Sequence, residues 1–264
     1  MMTTVMPKNK VLWWYLRRPH YYREFARLCK IELKKLCSSR SNDTVEPARQ
    51  WCKIMALPLS EALLKIGVLT TPLQFEEKYK KQLQQAQERE QQCSVTMGGG
   101  SDLALLFLLS EHIAARRVIE TGVAYGWSSL AFLLSLQNRD DSVLWSTDKP
   151  YPGLGNEQFV GCVVPPEYQS LWTIFREADR TGLPKALGLA GQIDLCHYDS
   201  DKSYDGRRWA YPLLWKALRP GGIFLSDDIG DNFAFRDFCE KINIEPIVVQ
   251  SEERFIGVLI KKYS

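Results

Sequence analysis

From residue 97 onward, short apolar runs alternate with stretches of helical periodicity, and this alternation constrains the fold more than any other feature of the sequence. Five of the runs are predicted strands, at residues 117–120, 143–147, 172–175, 192–197 and 222–226. Their alternation with helices predicts a parallel sheet covered on both faces. Two final runs, 247–250 and 255–261, are too close together for a crossover and should form an antiparallel hairpin. The predicted class is α/β, with a doubly wound, mostly parallel sheet ending in that hairpin.

The N-terminal part of the chain has a different character. Periodic apolar residues predict helices at 20–36 and at about 46–66. The stretch 75–92 is rich in Glu, Gln and Lys, which predicts an exposed helix. We therefore divide the chain into an N-terminal helical segment, 1–94, and an α/β domain, 95–264. The segment is expected to cap the open end of the sheet or to form a contact in a homodimer.

Charge is distributed unevenly along the chain. The net charge is +3, but residues 1–40 hold ten Lys and Arg against two Glu, a local net of +8 (10 − 2), which leaves −5 (3 − 8) for the rest. A basic segment of this kind can contact an anionic membrane surface or nucleic acid, or can be a solvated helix face. We expect a solvated face and no nucleic-acid partner, with peripheral membrane contact as the alternative.

Features that the sequence lacks indicate the expected cellular compartment. No apolar run approaches the roughly 20 residues that span a bilayer, and no apolar signal core follows the first basic residues. The seven cysteines are scattered, without a CxxC pair or metal-ligand spacing. These features predict reduced thiols in a cytoplasmic protein.

The strongest local motif is a glycine turn between the first predicted strand and the helix that follows it. The strand ends in Glu120, and Gly122 and Gly126 then allow positive φ and a close approach of the backbone to a ligand. Free N–H groups at the helix start, up to Ser129, can receive a carboxylate or a phosphate. The three-glycine dinucleotide fingerprint is missing. A tight turn without a ligand is the alternative.

Acidic residues follow three further predicted strands. Asp148, after the second strand, can accept the hydroxyls of a ribose or can be a simple turn former. Asp199 follows the fourth strand, and Asp227 and Asp228 follow the fifth. Because ligands bind at the carboxyl ends of parallel strands, a shared Mg²⁺, Mn²⁺ or Ca²⁺ could offset the repulsion between these carboxylates. Otherwise they cap helices and face water.

Two basic residues accompany the acids. Lys202 stands three residues after Asp199. It can act as a general base if burial lowers its pKa, although nearby carboxylates oppose that shift and favour an ion pair. His197 precedes Asp199 by two residues and shares its face of the strand. It is expected to support the site or to belong to the core.

Taken together, these motifs resemble those of class I S-adenosylmethionine (SAM)-dependent methyltransferases, which have a Rossmann-like fold, over about residues 95–264. The resemblance rests on the turn ETGVAYGWSS, on Asp148, on LRPGG before the fifth strand and on the closing hairpin. More narrowly, IDLCHYDSDKSY and LRPGGIFLSDDIGDN resemble a bacterial group written approximately IDLFIHDSDHSY…LRPGGLLLSDD. That group is similar to the metal-dependent O-methyltransferases of the catechol and caffeoyl-CoA type and to cephalosporin hydroxylase-like methyltransferases.

The resemblance implies roles for the matching residues. Those implied to bind SAM, from its methionine end to its adenine, are Glu120, Gly122, Val123, Gly126, Ser128, Ser129, Asp148 and Asp179, with Glu177 as an alternative to the last. Asp199, Asp227 and Asp228 match the Mg²⁺ ligands of the catechol-type enzymes, and Lys202 matches their catalytic lysine. The bacterial group usually has His in place of Lys202. Lys202, His197 and Asp199 are therefore the candidate catalytic residues.

The implied activity is O-methylation of a hydroxylated small molecule, such as a sugar or a secondary metabolite. SAM would be the methyl donor, with Mg²⁺ or another divalent cation as a further cofactor. A metal-independent methyltransferase and a non-catalytic SAM-binding protein are the alternatives within this fold. A nicotinamide-dependent oxidoreductase is a third alternative, which the missing third glycine and the C-terminal hairpin disfavour.

Overall fold

An eight-stranded sheet with helices on both faces organises the structure. The computed structural model describes residues 7–37 and 44–263. Its strands are β1 (Ala56–Pro58), β2 (Arg117–Thr121), β3 (Val143–Thr147), β4 (Trp172–Phe175), β5 (Ile193–Tyr198), β6 (Leu218–Ser226), β7 (Ile247–Ser251) and β8 (Arg254–Ile260). Its α-helices are α1 (Lys8–Leu16), α2 (Tyr22–Cys37), α3 (Val45–Met55), α4 (Leu59–Ile66), α5 (Pro72–Gln91), α6 (Leu103–His112), α7 (Trp127–Leu136), α8 (Asp179–Ala190), α9 (Tyr204–Ala217) and α10 (Ala234–Ile242).

The strand order across the sheet is β1-β7-β8-β6-β5-β2-β3-β4. β8 runs antiparallel to both of its neighbours, β6 and β7, while the other neighbouring strands are parallel. The predicted fold class is therefore confirmed: a Rossmann-like, mostly parallel sheet ends in an antiparallel hairpin.

The chain reverses its direction of travel across the sheet at β2. It passes outward from β2 to β3 and β4, and then returns to β5 on the other side of β2. In open α/β sheets, ligands bind outside the carboxyl ends of the strands at such a switch point. Thr121 of β2 pairs with Tyr198 of β5. The residues that follow these two strands, Gly122 and Asp199, consequently lie side by side.

Some elements differ from their predicted extent because packing outweighs local preference. α8 and α10 were not predicted. α8 contains Gly182 and Pro184, which disfavour a helix, but it buries Leu183 and Ala186 completely. β6 begins at Leu218, four residues before its predicted start, and so includes a Pro-Gly-Gly sequence of poor strand formers.

The N-terminal segment is not purely helical. Pro58 ends a three-residue strand, β1, which pairs in parallel with β7 and adds an edge to the sheet. The prediction of an exposed helix at 75–92 was also wrong in part. α5 buries Phe75 and Tyr79 against α6, with the rings of Phe75 and Phe107 centred 4.7 Å apart. A few apolar residues on one face were enough to dock an otherwise polar helix.

Aromatic residues dock α1 and the turn that follows it onto the loop between β3 and β4 and onto the residue after β4. Trp14, Tyr15 and Tyr21 form a small buried cluster. Trp14 Nε1 donates a 3.0 Å hydrogen bond to Glu157, and the Tyr21 hydroxyl donates a 2.7 Å hydrogen bond to the carbonyl of Arg176. Neither α1 nor any other helix in the described residues is long and apolar enough to cross a membrane.

Candidate active site

A cavity of about 930 Å³ opens at the carboxyl edge of the sheet, beside the switch point between β2 and β5. Eight of the predicted site residues line it, namely Gly122, Val123, Ser128, Asp148, Asp179, Asp199, Lys202 and Asp228. The other predicted residues are buried and do not line it, namely Glu120, Gly126, Ser129, His197 and Asp227. The structure thus brings the glycine turn and the acid cluster to one cavity.

The two glycines of the turn are required by backbone geometry. Gly122 and Gly126 have φ values of +84° and +95°, in the left-handed region that favours glycine. A Cβ on Gly126 would lie 2.9 Å from the Cα of Gly161, and a Cβ on Gly122 would collide with the carbonyl oxygen of Asp199. Gly122 is therefore the point at which the glycine turn touches the tip of β5.

Glu120 lies beneath the glycine turn and is fully buried. Its Oε2 accepts hydrogen bonds from the hydroxyls of Ser129 at 2.5 Å and Ser146 at 2.7 Å, while its Oε1 has no partner among the described residues. Burial raises the pKa of Glu120. The resemblance implied that Ser128 or Ser129 holds the carboxylate of SAM. The Ser129 hydroxyl instead donates to Glu120, and Ser128 is the serine that lines the cavity.

Asp148 braces the glycine turn from the tip of β3. Its Oδ1 accepts hydrogen bonds from the backbone N–H groups of Val123 at 3.0 Å and Ala124 at 3.3 Å. Its Oδ2 is buried and has no hydrogen-bond partner among the described residues. Burial raises the pKa of this carboxyl. One oxygen therefore shapes the turn, and the other stays available to a ligand hydroxyl.

Asp179 connects the tips of β3 and β5. It accepts hydrogen bonds from the hydroxyls of Thr147 at 3.1 Å and Ser200 at 2.5 Å. Burial raises its pKa to about 6. Asp179 lines the cavity at the start of α8, whereas Glu177, the alternative weighed from the sequence, does not and pairs with Lys185.

Lys202 supplies the positive charge at the acid cluster. Its Nζ lies 3.1 Å from Asp199 Oδ1 and also contacts Asp228. Burial lowers the pKa of Lys202, but the two carboxylates outweigh that effect and raise it above its usual value. Burial and the neighbouring charge of Asp227 raise the pKa of Asp199 to about 7. In this arrangement Lys202 carries an ammonium group and has no lone pair with which to accept a proton.

Asp227 is held from behind the cavity wall by residues of two other elements. Its Oδ1 accepts a 2.8 Å hydrogen bond from the Ser101 hydroxyl and lies 3.5 Å from His197 Nε2. Burial acts to raise the pKa of Asp227, but the interaction with His197 outweighs it and lowers the pKa. His197 is itself fully buried, so its contacts support a positioning role rather than direct contact with a substrate.

The acid cluster has donors that suit a divalent cation. Carboxylate oxygens are the ligands preferred by Mg²⁺, and the buried Asp227 Oδ2 has no hydrogen-bond partner among the described residues. Lys202 is the present counter-ion. In the part of the chain that the structure describes, no group of three or more His, Cys, Asp or Glu side chains has the geometry of a metal site. The donor chemistry fits Mg²⁺, while the geometry is that of a cluster neutralised by lysine.

Part of the cavity wall comes from the N-terminal segment, for which the sequence predicted a cap or a dimer contact. Glu24 and Arg27 of α2 line the cavity. Arg27 lies 2.8 Å from Asp201 Oδ2, and Glu24 lies 3.7 Å from Lys149 Nζ. The sequence did not indicate these contacts of Glu24 and Arg27, because their partners are more than 100 residues away along the chain.

Ser101 is a further site residue that the sequence did not identify. The stretch before α6 indicates a helix cap, and Asp102 does accept a 2.9 Å hydrogen bond from the N–H of Leu105. Ser101 instead reaches the tip of β6, where it donates to Asp227. A serine next to a capping residue has no local pattern that separates these two roles.

Comparisons with known proteins agree with this fold. Residues 119–229 match a family described as a methyltransferase domain. Three solved structures are similar to the chain. An O-methyltransferase from Bacillus cereus in complex with SAH shares 14% identity, with 80% of this chain and 100% of that chain covered and a TM-score of 0.51. A putative caffeoyl-CoA O-methyltransferase from Staphylococcus aureus shares 11%, with 72% and 98% covered and a TM-score of 0.55. The O-methyltransferase TomG from Streptomyces achromogenes, in complex with SAM, shares 18%, with 85% and 100% covered and a TM-score of 0.50.

No curated protein sequence gives a significant match to the chain. The resemblance to class I SAM-dependent methyltransferases is nonetheless confirmed by the matched domain and by the shared fold. The stretch that matches the methyltransferase-domain family includes the glycine turn, Asp148, Asp199 and Asp227.

Proposed function

We propose that the protein is a SAM-dependent methyltransferase that methylates a hydroxyl oxygen of a small molecule. The observation that carries this proposal is the contact between Gly122 and the carbonyl of Asp199, which joins the glycine turn and the acid cluster at one cavity. A methyl donor on the turn and an acceptor at the carboxylates would then share one enclosed space. Orienting two bound reactants is a large part of catalysis in such transfers.

The cofactor half of the cavity has groups that match the parts of SAM. Ser128 lies at the start of α7, where free N–H groups favour a carboxylate. The unpartnered Asp148 Oδ2 can accept ribose hydroxyls, and Asp179 lies further along the same wall. SAM, when bound, supplies an electrophilic methyl group on a sulfonium. The chain holds the turn in shape through Asp148 Oδ1 and Glu120 Oε2.

The acceptor half is the region around Asp199, Lys202 and Asp228. We propose that Asp199, Asp227 and Asp228 would hold Mg²⁺ or another divalent cation. Such an ion, when bound, draws an acceptor hydroxyl toward its alkoxide form. His197 and Ser101 keep Asp227 ionised and oriented for this purpose.

A metal-independent methyltransferase is the second candidate, and the ammonium of Lys202 favours it. Lys202 contacts both Asp199 and Asp228 and could itself stabilise negative charge on the acceptor oxygen. The proton of the acceptor would then pass to Asp199, which lines the cavity.

Calorimetric titration of SAM into EDTA-treated protein tests SAM binding, which both candidate functions require. We expect a dissociation constant of about 1–100 μM, in the range of ordinary enzyme ligands. Asp148→Ala should weaken binding at least about 10-fold, because it removes a ribose acceptor and the brace of the turn. Asp140→Ala, at an exposed position, is the matched control. No binding to demonstrably folded protein would overturn the proposal.

Mn²⁺ binding, followed by electron paramagnetic resonance, separates the two candidates. In the metal-assisted case the wild-type protein binds Mn²⁺ and Asp227→Asn does not. In the metal-independent case neither protein binds Mn²⁺. EDTA then leaves the rate of SAH formation unchanged, measured with the first acceptor that the enzyme is found to methylate.

A further inference from the structure

Cys93 and Cys162 are the closest pair of thiols among the described residues. Cys93 follows α5, Cys162 lies in the loop between β3 and β4, and their Sγ atoms are 3.0 Å apart. Both residues are partly exposed, whereas Cys52, Cys196 and Cys239 are buried. A disulfide bond has an S–S length of about 2.05 Å, so closure needs an approach of only about 1 Å between the two sulfur atoms.

We propose that Cys93 and Cys162 form a thiol–disulfide exchange site for a low-molecular-weight disulfide such as glutathione disulfide. The Cys93 thiolate would attack one sulfur of glutathione disulfide and release one glutathione thiolate. Cys162 would then lose its proton to solvent and attack Cys93 Sγ, which releases the second glutathione thiolate. The two cysteines are oxidised to one disulfide, and glutathione disulfide is reduced to two glutathione molecules once the released thiolates take up protons.

The environment of Cys162 suits this thiol to the second step. Burial, together with the adjacent Cys93, raises the pKa of Cys162 to about 12. Cys162 is therefore a poor first nucleophile and is suited to the second, intramolecular step, in which Cys93 already carries the leaving group. The exchange does not depend on methyl transfer, so its failure would not bear on the proposed function.

A disulfide between Cys93 and Cys162 would constrain the segments that contact the glycine turn. The N–H groups of Gly161 and Val163 donate to the carbonyls of Ala124 at 2.9 Å and Tyr125 at 3.1 Å. On the side of Cys93, Glu90 accepts a 2.6 Å hydrogen bond from Trp127 Nε1. The segments that carry the two thiols therefore hold the glycine turn between them. A disulfide between these segments would close a covalent loop of the chain from Cys93 to Cys162, and that loop contains the glycine turn.

The test is incubation of reduced, native protein in glutathione buffers of increasing disulfide content, followed by alkylation and peptide mass mapping. We expect a cross-linked Cys93–Cys162 peptide, lighter by two hydrogens than the sum of its parts. Because a cross-link of this span restricts the unfolded chain, the oxidised protein should melt roughly 10 °C higher. Cys93→Ser should abolish both the cross-link and the shift.

Three outcomes would overturn the proposal. The first is glutathione attached to either cysteine without the internal cross-link. The second is a cross-link that forms only in urea. The third is a melting shift that persists in Cys162→Ser. Exposed Cys29 serves as the internal control, because it should acquire glutathione without forming a cross-link in every variant.

Discussion

The two halves of the sheet's carboxyl edge hold their carboxylates in different ways. At the tips of β2 and β3, Glu120 and Asp148 accept hydrogen bonds from neutral serine hydroxyls and backbone N–H groups. At the tip of β6, Asp227 and Asp228 face the basic side chains of His197, in β5, and Lys202, which follows β5. Burial raises the pKa of Glu120 and Asp148, whereas the interaction with His197 overcomes burial and lowers the pKa of Asp227.

The contacts in the first half fix the shape of the site, and those in the second half determine its charge. Neutral hydrogen bonds fix the glycine turn and leave one oxygen each on Glu120 and Asp148 without a partner among the described residues. Ionic contacts keep Asp227 charged in a buried setting, where an unpaired carboxylate would otherwise take up a proton. The first half is therefore suited to binding a ligand, and the second half to stabilising charge that develops during a reaction.

The largest expected effect is on turnover in Asp227→Asn. This change removes the charge at the tip of β6 but keeps the size of the side chain. SAH formation should fall roughly 100- to 1000-fold, the range found when a preorganised charge-stabilising group is lost. The SAM dissociation constant, measured by calorimetry, should change less than about 3-fold, because the glycine turn keeps its own hydrogen bonds.

The control for Asp227→Asn is Asp148→Asn, which should affect SAM binding more than the rate at saturating SAM. Equal losses of SAM binding and turnover in both variants would mean that the two halves do not act separately.

A smaller effect is expected on stability when the contact between the two halves is disturbed. Gly122→Ala introduces a Cβ at φ +84° against the carbonyl of Asp199. Strain and overpacking should together lower the free energy of unfolding by about 3 kcal/mol, as measured by urea denaturation.

Gly155→Ala is the matched control for Gly122→Ala. Gly155 also has positive φ, +73°, but nothing lies within 4 Å of its Cβ position. It should lose only about 1 kcal/mol, from the backbone conformation alone. Equal losses in the two variants would show that Gly122 is required only for its φ.

The smallest expected effect is on the pH dependence of stability in Asp179→Asn. Asp179 has a folded pKa of about 6, against about 3.9 in an unfolded chain. The folded state therefore holds this proton more tightly, so ionisation destabilises the fold as pH rises from about 4 to 6. Asparagine does not titrate. The stability of the variant relative to wild type should rise by about 1–2 kcal/mol across this window, after allowance for exposure to the cavity.

Asp194→Asn provides a control of opposite sign. Burial acts to raise the pKa of Asp194, but the hydrogen bond from Arg219 outweighs it and lowers the pKa. The carboxylate then stabilises the fold above its unfolded pKa, and this contribution is lost as pH falls. The cost of Asp194→Asn should therefore shrink toward acid pH. If the stability difference between variant and wild type changed with pH in the same direction for both variants, the pKa directions given for Asp179 and Asp194 would be wrong.

Much of the fold could be predicted because its signals are local. The apolar runs that became β2, β3, β4 and β5 were predicted to within about a residue, since each buried strand is marked by its own composition. α8 was missed because its glycines and proline disfavour a helix in isolation. The three-residue strand β1 was missed because only its pairing with β7 defines it.

Most residues of the candidate site could be predicted from the sequence, whereas their contacts could not. Strand ends indicate that Asp148, Asp199 and Asp227 meet at one edge, because parallel strands share their direction. They do not indicate that Ser129 donates to Glu120 or that Ser101 reaches Asp227. Each of these contacts depends on a rotamer chosen by packing between separate elements.

The sequence by itself determined the succession of strands β2 to β6, the closing hairpin, and the placement of the glycine turn and the acids at strand ends. These features follow from periodicity and from turn chemistry, which act over a few residues. Only the tertiary structure decided that α2 forms a wall of the cavity, that Lys202 neutralises Asp199 and Asp228, and that Cys93 lies against Cys162. These contacts join residues that the complete sheet and its packed helices bring together, and side-chain positions at that range depend on the whole packed fold.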